Sequence, residues 1–195
     1  MDKTIIFDLG SMLVNLDWNK VCSRLQELSV LADVRPNVIN GPIVRSAMLG
    51  LLTPRGYHEA LCEQLVVNLV YEDFVDIWND LLSANESIVP LVNQLKLGHR
   101  LVLASNTDAI HFKHSVENFD VVRQFDHYFL SYEMGLLKPA PAFFHHILRT
   151  LGTSAADCIF IDDRAENVES ARSVGIMAFR FESTDQLRSD LRDAL

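Results

Sequence analysis

A chain of 195 residues, 49% hydrophobic and 22% charged, is long enough to bury a sizeable core and ordinary enough in composition for a globular protein. Its formal charge of −9 argues against nucleic acid or an anionic membrane surface as the main partner, but leaves room for a small anion held by a locally positive site. Cys22, Cys62 and Cys158 are odd in number, widely spaced and without a metal-ligand pattern, so they read as reduced core thiols of a cytoplasmic protein.

Met1-Asp2-Lys3 leads straight into apolar residues, which leaves no room for a signal peptide, and no apolar run approaches the ~20 residues of a membrane span. The first element is Thr4 to Phe7, whose continuous apolar run Ile5-Ile6-Phe7 predicts a strand covered on both faces and ending at Asp8. From about Asp17 the pattern turns helical. Val21, Leu25 and Leu28 predict one inward helix face, and Thr53-Pro54 an N-cap and first turn of a helix carrying Tyr57, Leu61 and Leu65 inward. Phe74, Ile77, Trp78 and Leu81 make the stripe of a further helix, from Tyr71 to Leu82, in which Trp78, like Trp18, reads as a packing residue. No strand signal occurs between Asp17 and Ser83, so residues 16–83 are expected to form an all-helical insertion.

From Ser87 onward helix and strand alternate. A helix from Ile88 to Leu97 leads to the strand 101–104, which ends in Ser105-Asn106-Thr107. A helix from Ala109 to Asn118 precedes a strand from His127 to Leu130 and a loop from Ser131 to Pro139. The helix opened by Pro141 closes at Leu151-Gly152, the strand 158–161 ends in Asp162-Asp163, and a helix from Ala165 to Val174 leads to the last strand, 176–181. Ser183 and Gln186 form a capping box for a C-terminal helix. Such alternation implies right-handed crossovers and an α/β fold, a Rossmann-like sheet of five parallel strands flanked by helices. The core would comprise 1–15 and 84–195.

Parallel strands bring their carboxyl ends to one edge, where ligands of open α/β sheets bind. Asp8, Ser105-Asn106 and Asp162-Asp163 all stand at such ends, and Lys138 lies in a loop able to reach them. Adjacent carboxylates repel unless a cation lies between them, and hard oxygen donors at that density suit Mg²⁺. A carboxylate nucleophile, a hydroxyl, an ammonium and a metal site together suit phosphoryl transfer. Each residue also has a structural explanation: Asp163 with Glu166 as a helix cap and its partner, Ser105 as a turn residue. His111, His114, His145 and His146 read as solvated helix residues rather than zinc ligands.

Phe7-Asp8-Leu9-Gly10, Ser105-Asn106-Thr107, Gly135 to Pro139 with Lys138, and Phe160 to Asp163 with Asn167 resemble, in order and spacing, the four motifs of the haloacid dehalogenase-like (HAD) hydrolase superfamily. Within it the texture is similar to the bacterial α-D-glucose-1-phosphate phosphatase and the epoxide hydrolase phosphatase branch. The resemblance implies that Asp8 is the nucleophile and a metal ligand, and that the Gly10 carbonyl and Asp163 bind Mg²⁺, with Asp162 acting largely through water. It implies that Ser105 and the Asn106 region bind the phosphoryl group, that Lys138 holds Asp8 and phosphate together, and that Asn167 orders the last motif's loop. Residues 16–83 become a cap domain that selects a small phosphorylated metabolite, such as a sugar phosphate, with Arg45, Met48 and Tyr57 as candidates facing the crevice. The stretch 107–137 is too short for a second cap. One position departs from the pattern: Gly10 stands where most phosphatases of this superfamily carry an acid/base Asp, a group typically worth about 10²–10⁴ in rate. A catalytically silent binding protein and a metal-free 2-haloacid dehalogenase therefore remain as alternatives, and the assembly is expected to be a monomer or a weak dimer.

Overall fold

The computed structural model describes residues 3–39 and 41–195. Five parallel strands form the central sheet: β1 (Thr4–Phe7), β4 (Arg100–Ser105), β5 (His127–Leu130), β6 (Cys158–Asp162) and β7 (Met177–Arg180), in the order β5-β4-β1-β6-β7. β2 (Val14–Leu16) and β3 (Leu82–Ala84) are two short strands outside it. Alternation of side chains sends Ile5 and Phe7 to one face of β1 and Ile6 to the other. The first pair joins a core with Leu91 and Val92 of α6 (Val89–Lys96) and Leu187 and Leu191 of α11 (Thr184–Ala194). Ile6 joins a second core with Phe143 and Ile147 of α9 (Pro141–Leu151) and Val168 and Ala171 of α10 (Ala165–Ser173). A sheet covered on both faces is the reason its strands are apolar throughout.

Helices α1 (Trp18–Leu28), α2 (Arg35–Val38), α3 (Pro42–Met48), α4 (Pro54–Leu65) and α5 (Tyr71–Asn79) enclose a third core around Leu25, Leu61, Phe74 and Trp78. Thr53 caps α4 through its hydroxyl, which accepts from the Gly56 amide at 3.1 Å, with Pro54 in the first turn as the sequence predicts. Four details differ from expectation. Residues 14–16 and 82–84 pair as an antiparallel ribbon, so strands do enter and leave the helical block, and the helix expected to reach Leu82 stops at Asn79. Runs this short carry too few alternating residues for periodicity to reveal them. Leu28 is 48% exposed, the buried face of α1 being made by Val21, Cys22 and Leu25, and the loop after β5 begins with a turn of helix, α8 (Ser131–Met134). Where α3 ends, Gly50 (φ +72°) approaches the core so closely that a Cβ there would lie 2.0 Å from the Tyr132 carbonyl oxygen. No helix among the described residues is long and apolar enough to cross a membrane.

Candidate functional site

The register of β1 places Phe7 level with Leu103 of β4 and with Ile161 of β6, so the next residue, Asp8, lies level with Ala104 and Asp162. Register thus brings residues from distant parts of the chain to one edge. The Asp8 amide donates to the Ile161 carbonyl at 2.9 Å, continuing the ladder one residue beyond the strand. Lys138, buried, closes the group: its Nζ donates to Asp8 Oδ1 at 2.6 Å, to Asp162 Oδ2 at 2.6 Å and to the Ala104 carbonyl at 2.8 Å. Three donations match the three protons of an ammonium.

Asn106 positions this lysine. Its Oδ1 accepts from the Lys138 amide at 2.9 Å and its Nδ2 donates to the Lys138 carbonyl at 2.8 Å, so the side chain is committed to the lysine's main chain. Asp162 is fully buried and held by the Asn167 amide (2.9 and 3.0 Å) and the Arg164 main-chain amide (2.9 Å). Asp163 is the more open of the two and does not cap α10, whose N-cap is Arg164. Oxygen atoms of Asp8, Asp162 and Asp163 lie within 4.8 Å of one another, a set of hard donors that fits a divalent cation.

The electrostatics follow from this crowding. Burial, together with the Asp162 and Asp163 carboxylates, outweighs the Lys138 ammonium and pushes the Asp8 carboxyl up to about 7. Asp163 is also raised, by burial and by Asp162. Lys138 is buried, which disfavours its charge, yet the carboxylates of Asp8 and Asp162 hold it above the ordinary lysine value.

A crevice of about 350 Å³ opens beside Asp8. Gly10, Ser105, Asn106, Lys138, Asp163 and Asn167 line it, so of the residues in the four motifs expected to bind metal or phosphate, or to order the site, all but the fully buried Asp162 reach this space. Of the candidates in the helical block, Met48 lines it, whereas Arg45 points to solvent and Tyr57 is buried in the helical core. Leu16, Trp18 and Ile39 line it too, and Trp18, read as a packing residue, both packs edge-on against Trp78 and faces the crevice. His111, expected on the surface, is 7% exposed and bonded to Asp108 and Trp78. Asp108, standing just before a helix, has the position of an N-cap, a signal legible in the sequence.

A sequence model for haloacid dehalogenase-like hydrolases matches residues 3–175. The sesquiterpene phosphatase astK of Aspergillus oryzae is 28% identical over 189 residues, covering 95% of this chain and 91% of that one. The D-ribitol-5-phosphate phosphatase of Bacteroides thetaiotaomicron is 24% identical over 200 residues, covering 98% and 97%. The chain spans 36% of the length of a further relative, the drimenol cyclase drtB of Aspergillus calidoustus, at 27% identity. Among solved structures, the HAD family enzyme bt-2542 of Bacteroides thetaiotaomicron, crystallised with magnesium and inorganic phosphate, superposes with a TM-score of 0.86 at 26% identity, covering 96% of this chain and 99% of that one.

Proposed function

Because this chain belongs to the haloacid dehalogenase-like hydrolases, we propose that it is a Mg²⁺-dependent phosphatase acting on a small phosphorylated metabolite. The observation that carries the reading is the position of Lys138 Nζ, 2.6 Å from both Asp8 and Asp162, beside a carboxylate set suited to a divalent cation. Residues 1–15 and 84–195 form the catalytic domain in this reading, with 16–83 as a cap over the crevice. Relatives that are phosphatases, and a neighbour crystallised with magnesium and phosphate, support it.

Asp8 is the nucleophile. One of its oxygens attacks phosphorus, the bond from phosphorus to the ester oxygen breaks, and the ester oxygen leaves with the electron pair. Water then attacks the aspartyl phosphate, releasing phosphate and restoring the carboxylate. Lys138 holds the Asp8 carboxylate in place and keeps positive charge beside the transferring group. Ser105, which lines the crevice, donates to a phosphoryl oxygen. Asp163, Asp8, the Gly10 carbonyl and, further back, Asp162 would hold Mg²⁺, which supplies charge neutralisation between nucleophile and phosphate. Asn167 and Asn106 position Asp162 and Lys138.

Two tests separate this from the alternatives. Hydrolysis of a chromogenic phosphate ester should require Mg²⁺ and be lost in Asp8→Asn. A folded wild type that binds phosphate but turns over no ester, with or without Mg²⁺, would establish the silent binding protein. Chloride release from a 2-haloacid in the absence of metal would establish the dehalogenase, in which the acidic pair beside Asp8 has no use.

A further inference from the structure

The crevice beside Asp8 shares Leu16, Trp18 and Met48 with an adjoining cavity of about 90 Å³, which extends to Val44 and Trp78. A substrate whose phosphate sits at Asp8 would meet these apolar side chains with its non-phosphate part. Hydroxyl groups buried among them would find few partners, and each unpartnered hydroxyl weakens binding. Apolar carbon gains instead, by roughly fourfold in affinity per methylene buried.

The ionisable groups lining both spaces are already engaged. Lys138 is shared between Asp8 and Asp162, Asp163 belongs to the carboxylate set, and the exposed Arg164 donates from Nε to Glu166 at 2.8 Å. In the smaller cavity both ring nitrogens of His111 are taken, Nδ1 by Asp108 at 3.2 Å and Nε2 by the Trp78 carbonyl at 2.9 Å. Position 10, next to the nucleophile along the crevice, is a glycine. Among the described residues that line these spaces, no carboxyl or imidazole is left over to protonate a departing oxygen. An aliphatic alkoxide, about as basic as hydroxide, leaves poorly without such a proton. A phenolate, at ~10, leaves readily.

We infer that the substrate is the monophosphate of an apolar alcohol with an acidic oxygen, a phenol or an enol, seated with its carbon skeleton against Leu16, Trp18 and Met48. This rests on the phosphatase reading above. The step balances without a protein acid. The Asp8 carboxylate forms a bond to phosphorus as the phosphorus–oxygen ester bond breaks, and the departing oxyanion takes its proton from water afterwards.

The test is a steady-state comparison, in Mg²⁺, of phenyl phosphate, benzyl phosphate, glucose 6-phosphate and acetyl phosphate. Phenyl over benzyl phosphate isolates the leaving oxygen, and a kcat/KM ratio of roughly 10² or more is expected. Benzyl over glucose 6-phosphate isolates the apolar body, again with a ratio of roughly 10². Trp18→Ala and Met48→Ser should each lower kcat/KM about tenfold more for phenyl phosphate than for acetyl phosphate, whose small body does not reach the cavity. Equal turnover of glucose 6-phosphate and phenyl phosphate would overturn the inference and leave the phosphatase intact. Equal turnover of benzyl and phenyl phosphate would overturn the claim about the leaving oxygen. Failure to hydrolyse all four, acetyl phosphate included, would sink the phosphatase reading and this inference with it.

Discussion

Replacing Asp108 by Asn exchanges one oxygen for an amide in a carboxylate that is 4% exposed and meets four groups. Its Oδ1 accepts from the Ile110 and His111 amides of α7 (Ala109–Asn118) at 2.9 and 3.0 Å, and its Oδ2 accepts from Trp78 Nε1 at 3.1 Å. The same Oδ2 lies 3.2 Å from His111 Nδ1, while His111 Nε2 lies 2.9 Å from the Trp78 carbonyl. A carbonyl only accepts, so Nε2 carries a proton, and the Asp108 carboxylate beside Nδ1 favours a second there. Asp108 therefore favours the imidazolium form of His111. Burial opposes this charge, but Asp108 overcomes it and raises His111 above its ordinary value; in return His111 holds Asp108 below the carboxylate range against its own burial.

In Asp108→Asn the carbonyl can still cap α7, but the amide meets the Trp78 N–H donor to donor and the imidazolium loses its counter-ion. An orphaned buried donor costs about 1–3 kcal/mol and breaking a buried ion pair about 3–5, part of which the ring escapes at neutral pH by losing its proton. We expect a net loss of about 3 kcal/mol at pH 7, which for a chain of this size lowers Tm by about 6–12 °C. The sign of the pH dependence follows. A raised histidine stabilises fully below its unfolded value of ~6.5 and stops doing so as pH rises through its folded value, so the gap between wild type and variant should widen from pH 8 to pH 5.5. The lowered Asp108 contributes above ~3.9 and fails as pH falls through its folded value, so the gap should close again in strong acid. Urea denaturation at pH 8, 7 and 5.5 measures it. A gap that stays below about 1 kcal/mol at pH 5.5, or that narrows between pH 8 and 5.5, refutes the imidazolium.

Lys138→Met removes two charge-assisted hydrogen bonds and leaves two buried carboxylates facing each other without an ammonium. It should cost about 3–5 kcal/mol in urea denaturation at pH 7 without metal and abolish ester hydrolysis; a variant of wild-type stability would contradict the ion pairing described. Gly50→Ala combines a left-handed φ with a Cβ 2.0 Å from the Tyr132 carbonyl oxygen, a contact that backbone cannot yield cheaply. A loss of at least about 1–3 kcal/mol is expected by thermal melting, and an unchanged Tm would show that the helical block does not approach the core this closely.

Much of the site was legible because its residues sit at places a linear pattern marks. Asp8, Ser105 and Asp162 each follow an apolar run, and strands that end alike in a parallel sheet end together. Lys138 could be placed at the same edge only as a loop residue able to reach it and by its motif, since nothing local tells where a loop folds back. The Asp108–His111–Trp78 network was missed for a different reason. His111 has the spacing of a surface helix residue, and only the packing of α5 against α7, which brings Trp78 onto its ring with centroids 5.0 Å apart, buries it. The ribbon of residues 14–16 and 82–84 is likewise invisible locally, because three residues hold no period and their partner is far along the chain.

Side-chain period and chain punctuation belong to the sequence alone. From them came the five strands, the helical block and the acidic residues at the strand ends, since burial of one face and the ending of an element are settled by near neighbours in the chain. Which side chains of the helical block turn toward Asp8 was decided by tertiary packing. Tyr57 went into the block's own core and Arg45 to solvent, while Leu16, Trp18 and Met48 were left to line the crevice. That choice depends on how several helix faces compete to cover one another, a sum over contacts between distant residues that no window of sequence contains.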